Sequence, residues 1–325
     1  MLSSEAARGF LTEVVAKLSS KVDLNLNTEL LSEVEGLCSS SDFCQLVKYI
    51  DKKTRVILAL YVALRRRGIC INFRCLGSYI SIPAPRFLEL ARKLGVRRCE
   101  LKDYVLYASR KLRLPPSIAS NALWLALKAK NTGRYGGLSS SVLAASALYL
   151  ACSSMGFTIK PRSIARALCV SEASLKIAAR MLKKSFSEEA LRYYVVETSP
   201  HYASEQLEGL PGFQVVLALK SSDGRILSLA LVQDSRAEPW RTLAVQHGIP
   251  VENSAVLVSI INADAASDYT AVTLERIISY LALKGFKYLW ALEGSLSKSV
   301  LKEKFKQVSY SPKYKSFIYA IELSR

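Results

Sequence analysis

Apolar positions recur at helical spacing through roughly the first 186 residues, then give way to short apolar runs. Residues 5–19 set Phe10, Leu11, Val14, Val15 and Leu18 on one face of a first helix. Asn27 is placed to cap a second helix reaching about Cys38. Residues 39–42 read as a loop, and Phe43, Leu46 and Val47 mark a short helical segment. Further helices are predicted over 54–68, 73–80 and 83–94; Pro83 and Pro85 fit the entry to the last, where a missing N–H costs little. The pattern then restarts with helices over 102–112 and 117–130, a turn at 131–137 expected to expose Arg134 and Tyr135, and a helix capped by Ser139 and Ser140. Trp124, set among Leu123, Leu125 and Leu127, reads as core.

The stretch 142–182 contains a buried helix, a turn at Gly156 and two short helices separated by Cys169-Val170-Ser171, a helix-turn-helix pattern. Ser171 can cap the second helix, with Glu172 in the first turn where the helix dipole favours an acid. Leu175, Ala178, Ala179 and Leu182 would face the core, while Lys176, Arg180 and Lys184, with Lys183 alongside, form another face. Such a helix can dock on its domain and still present cations to phosphates or base edges. A solvated face on an ordinary helix has the same composition.

The stretch occurs twice. Shifted by 88 residues, 54–94 falls on 142–182 without a gap, and 10 of the 41 positions are identical, including Tyr61 with Tyr149, Gly68 with Gly156 and Arg92 with Arg180. Spacing shared through a Gly-centred turn means two copies of one helical unit. In the first copy Leu88 stands where the second has Lys176, so the second is the better candidate reader of a polyanion.

A five-helix repeat whose third helix reads A-A-x-A-L-Y-x-A, followed by a Gly turn and a helix-turn-helix, resembles the cyclin-like repeat of transcription factor B, the archaeal counterpart of eukaryotic TFIIB. The third helices here would be TRVILALYVALRRRG and SSVLAASALYLACSSMG. The resemblance covers roughly residues 5–190. It implies tandem all-α repeats at 1–98 and 99–190, duplex DNA as partner and the TATA-binding protein as a further one. It also places the turn after the third helix near those partners, making Arg65, Arg66 and Arg67 second-rank phosphate contacts; a cation run closing a helix also complements the dipole without any ligand. The DNA-binding candidates are thus Arg162, Arg166, Ser174, Lys176, Arg180, Lys183 and Lys184, then Arg65, Arg66, Arg67 and Arg134. The family's zinc ribbon, which recruits polymerase, has no counterpart in the sequence given, so the expectation is a transcription factor acting in initiation or its regulation by another route. Cyclin boxes that only dock proteins are the alternative.

Charge divides unevenly. Residues 1–194 hold 31 Lys and Arg against 14 Asp and Glu, a net of +17, while the remaining 131 hold 14 against 13. The basic excess sits in the repeats and points to a polyanion there. No apolar run reaches the ~18 residues of a membrane span, and the expectation is a cytoplasmic, nucleoid-associated protein without a membrane partner. Seven cysteines without a CxxC pair read as buried small residues in a reducing compartment, with no zinc site, since His201 and His247 lie far off.

Beyond Phe186, strands are predicted at 193–196, 213–219, 226–232, 255–261, 288–292 and 316–323, with a hairpin turn at 221–224 and helices at 270–284 and 297–307. The order gives an α/β (α+β) domain over 191–325 whose topology resembles the acetyl-coenzyme A-dependent N-acetyltransferases. In that fold a Gly-bearing turn cradles the pyrophosphate. Residues 262–269 here have no Gly and carry Asp264 and Asp268, which implies no catalysis and no cofactor; a DNA-targeted N-acetyltransferase is the contrary reading. Glu252, Glu293 and Tyr310 read as surface or strand-end residues rather than acid–base groups. The domain is expected to bind a protein partner, and removal of residues 195–325 to leave a folded, DNA-binding helical protein.

Overall fold

Helix α3 (Lys52–Arg66) organises the first repeat: Val56, Ile57, Leu58, Ala59, Leu60, Tyr61, Val62, Ala63 and Leu64 are all buried. Apolar residues on every side of a helix require neighbours on every side, and around it pack Leu30 and Val34 of α1 (Thr28–Ser39), Phe43 of α2 (Ser41–Leu46) and Phe87, Leu90 and Ala91 of α5 (Ala84–Lys93). Asp51 caps α3 by accepting from the Thr54 amide at 3.0 Å. Ser40 caps α2 through the Phe43 amide, so the predicted loop at 39–42 is a helix boundary instead. The computed structural model describes residues 9, 12–14, 28–186, 193–198, 215–264, 268–293 and 295–323, with the backbone alone at Phe73, Arg74, Ser78, Lys298 and Ser299. Of the first predicted helix, residues 9 and 12–14 are helical and the rest lie outside the described residues.

The second repeat follows the first at the spacing seen in the sequence. Helices α4 (Phe73–Leu76, continued by a 3₁₀ turn Gly77–Tyr79), α6 (Leu101–Lys111), α7 (Pro116–Asn131), α8 (Ser140–Ser154), α9 (Pro161–Leu168) and α10 (Glu172–Ser185) complete the helical part. The starts of α1, α3, α4 and α5, moved by 88 residues, fall on those of α7, α8, α9 and α10. The register therefore extends beyond the 41 residues that carry the sequence identity. Two differences follow from composition. Helix α4 stops after one turn because Gly77 and Ser78 stand where α9 has Ala165 and Arg166, and both are poor helix formers. Tyr135, expected at the surface, is buried, its hydroxyl donating to the Met181 carbonyl at 3.4 Å.

Cysteine usage also departs from expectation. Cys75 and Cys169 form a disulfide, joining the one-turn helix of the first repeat to the helix-turn-helix turn of the second. The two are 94 residues apart, and neither sits in a pattern that announces a pair.

By packing, the chain divides into two compact units. One is built from Met1–Leu114, Ala129–Tyr149 and Thr158–Lys184, the other from Pro115–Lys128, Leu150–Phe157 and Ser185–Arg325. Among the described residues, the second contains a seven-stranded mixed sheet in the order β1-β2-β3-β4-β5-β7-β6. Its strands are β1 (Tyr194–Thr198), β2 (Val215–Lys220), β3 (Ile226–Asp234), β4 (Ser254–Asn262), β5 (Tyr288–Leu292), β6 (Lys306–Ser311) and β7 (Ser316–Glu322). All neighbours are antiparallel except β4 and β5, which are parallel and linked through α12 (Thr270–Lys284). Helix α11 (Trp240–Gln246) was not read from the sequence. The helix predicted over 297–307 is shorter, α13 (Lys298–Lys304), and yields to strand β6.

Candidate nucleic-acid interface

The turn between α9 and α10 is built for a sharp reversal. Cys169 adopts a left-handed conformation, φ 53°, at the C-cap of α9. Its amide reaches the Arg166 carbonyl and that of Val170 the Ala165 carbonyl, which closes the helix end. Ser171 then starts α10 by accepting from the Ser174 amide at 2.9 Å. Leu175, Ala178, Ala179 and Leu182 are buried, as the periodicity predicts, and Ser146 of α8 fixes the helix from behind through the Leu175 carbonyl at 3.2 Å.

The opposite side of α10 is open. Ser174, Lys176, Arg180, Lys183 and Lys184 are all exposed. Lys176 is held along the helix by Glu172 at 2.6 Å, an i,i+4 pair, so part of its charge is answered within the helix. Arg162 and Arg166, four apart on α9, are exposed too. The Tyr135 bond to Met181 holds the loop that carries exposed Arg134 against the C-terminal half of α10. Eight of the eleven residues singled out therefore belong to the helix-turn-helix and the loop tied to it.

The first-repeat arginines are placed differently. Arg65 points inward: its side chain is 8% exposed, Nη1 donates to Cys70 Sγ at 2.9 Å, and Nη2 lies 3.7 Å from Asp103. Arg67 pairs with Glu33 at 2.9 Å, and Arg66 is exposed. Two residues of the open α10 face escaped the sequence reading. Ile177 is 57% and Met181 41% exposed, large apolar side chains in the midst of cations. Their signal was available, since both fall outside the stripe that Leu175, Ala178, Ala179 and Leu182 trace on the helix.

In the sheet unit, the turn after β4 is the one in which the sequence places Asp264 and Asp268. The Thr270 amide, first in α12, donates to Asp268 Oδ1 at 2.9 Å, and the Tyr269 amide donates to Asn262 Oδ1 at 3.2 Å. Hydrogen bonding from Thr270 holds the Asp268 carboxyl below its ordinary value, so it is anionic at neutral pH. Among the described residues of this turn, two backbone amides are thus taken by the protein's own side chains, one of them a carboxylate.

Residues 99–185 match the family model described as the transcription factor TFIIB repeat. No curated protein matches the sequence. Three solved structures are similar in part. One described as an acetyltransferase from Staphylococcus aureus Mu50 is 14% identical, covering 38% of this chain and 81% of its own at a TM-score of 0.27. One described as a phosphinothricin N-acetyltransferase is 15% identical over 39% and 79%, TM-score 0.27. An N-acetyltransferase from Staphylococcus aureus Mu50 is 20% identical over 38% and 74%, TM-score 0.24. The helix-turn-helix described above lies inside the matched stretch. Residues 99–185 are thus similar to the transcription factor TFIIB repeat, in a chain whose described residues also form a mixed seven-stranded sheet.

Proposed function

We propose that the chain binds duplex DNA through α10, acting in transcription initiation or its regulation in the manner of transcription factor B. The observation that carries this is the division of one helix into two faces. Its inner face is buried and anchored, and its outer face combines Arg180, Lys183 and Lys184 with Ile177 and Met181. Cations answer phosphates, and apolar groups meet thymine methyls in the major groove. Arg162, Arg166 and Arg134 flank this face and extend the phosphate contacts. The TATA-binding protein is the further partner that the repeat implies.

The test is simultaneous reversal of Lys176→Glu, Arg180→Glu, Lys183→Glu and Lys184→Glu in the full chain. Duplex binding at moderate salt is expected to fall by orders of magnitude, about tenfold or more for each phosphate no longer neutralised. Binding equal to the parent's would remove α10 from the interface. A parent that ignores duplex DNA even at low salt, yet is captured by an acidic protein, would instead support a docking scaffold.

The sheet domain serves, on this reading, as a non-catalytic protein-binding domain. Asp268 at the start of α12 supports it, because that carboxylate stands where a coenzyme A diphosphate would need free amides. Thermal stabilisation of the chain by coenzyme A would contradict it.

A further inference from the structure

The arginines that close α3 do not join the α10 face; they line a cleft of about 820 Å³ in the first compact unit. Its walls are the turn after α3, the connection before α6, and one side of α6. Six cationic side chains line it: Arg65, Arg66, Arg67, Arg97, Arg110 and Lys111. One carboxylate, Asp103, lies in the lining, and two guanidiniums share it, Arg65 at 3.7 Å and Arg97 at 3.6 Å, while Arg67 is paired with Glu33. At the base, Arg65 is more than nine-tenths buried, and its Nε has no hydrogen-bond partner. A cleft lined by six cations and one carboxylate carries an excess of positive charge that favours an anion in it.

We infer that this cleft is a binding site for a compact oligophosphate, such as the di- or triphosphate of a nucleoside. Size and charge select the class. The volume lies in the range of small-ligand sites, about 300–1,000 Å³, and is far more than orthophosphate needs. Several phosphates in a row supply the multiple acceptors that a set of guanidiniums can hold in forked pairs. Half-buried Tyr107 lines the same cleft and gives a nucleoside's ring a wall to lie against. The site is concave and includes the buried Arg65, unlike the open outer face of α10. It stands independently of the DNA-binding reading.

The experiment is calorimetric titration of the full chain with tripolyphosphate, ATP and orthophosphate at low salt. Tripolyphosphate and ATP are expected to bind at one site with micromolar affinity, and orthophosphate at least about tenfold more weakly. Tighter binding of ATP than of tripolyphosphate would give Tyr107 a share; equal binding would assign the site to the phosphates alone. Arg97→Glu with Arg110→Glu, both exposed side chains, should weaken tripolyphosphate about tenfold or more, while the fourfold α10 reversal should leave it unchanged. Should the double variant not fold, tripolyphosphate is expected to shield Arg97 and Arg110 of the parent from phenylglyoxal, read by mass spectrometry. No binding at millimolar tripolyphosphate, no shielding, or equal weakening by the α10 reversal would overturn the inference.

Discussion

The guanidinium of Arg276 lies 3.4 Å from the centre of the Trp124 ring, a cation stacked on an indole inside the second compact unit. Arg276 is 1% exposed and donates to Asn121 Oδ1, while burial pushes its pKa down to about 9, which still leaves it charged at neutral pH. Trp124 donates to Glu275 at 3.3 Å and packs against Phe186 at 5.7 Å. Part of α7 is thereby a component of the sheet unit's own packing.

Trp124→Ala is accordingly expected to lower unfolding free energy by about 3–5 kcal/mol, the range for deleting a large core ring. Denaturant titration reads it. The same packing revises the expectation that residues 195–325 can be removed without harm. A chain ending at Phe186 leaves Trp124 without Arg276 and Glu275, and should melt earlier and bind a hydrophobic dye. An unchanged melting curve for the truncated chain would contradict this.

Glu275 gives the same packing a pH dependence. Burial alone would raise its carboxyl pKa, but the Lys128 ammonium at 2.7 Å, Trp124 and Lys304 outweigh it and hold the value below 4.5. A depressed pKa contributes stability in full above the unfolded value, and that contribution is lost as pH falls through the folded one. Stability of the parent and of Glu275→Gln should therefore differ at neutral pH and converge as pH drops below 4.5. A constant difference down to about pH 3 would show that the charge contributes nothing.

The Cys75–Cys169 disulfide closes a long loop across both repeats. Cys75→Ser should cost about 2–4 kcal/mol, chiefly by freeing the unfolded chain. Dithiothreitol should bring the parent down to the variant's melting temperature and leave the variant unmoved. Equal sensitivity of both proteins to reductant would contradict the bond's role.

Much of the helical part was legible because its determinants are local. Periodicity, the cap at Ser171 and the shift of 88 residues located α3, α8 and α10 and their inner faces. What escaped depends on distant partners. Lys306 and Gln307 read as a helix tail until β7 offers Lys306–Ser311 a pairing edge, and Tyr135 reads as a loop residue until Met181 supplies an acceptor. The arginine run that closes α3 read as one feature, yet Arg65 turns inward because Cys70, Asp103 and the Arg97 carbonyl converge on it from elsewhere in the chain. Cleft residues Arg97 and Arg110 belong to different elements and carry no shared signal in the sequence.

The central claim, that α10 meets DNA phosphates, is tested most directly by the salt dependence of duplex binding. Each phosphate neutralised contributes about −0.9 to the slope of log K against log salt. The parent is predicted to show a slope of about −4 or steeper, and the fourfold Lys176, Arg180, Lys183 and Lys184 reversal a slope shallower by about 3, with binding weaker throughout the salt range. Parallel slopes for the two proteins would contradict the assignment of this helix to the DNA.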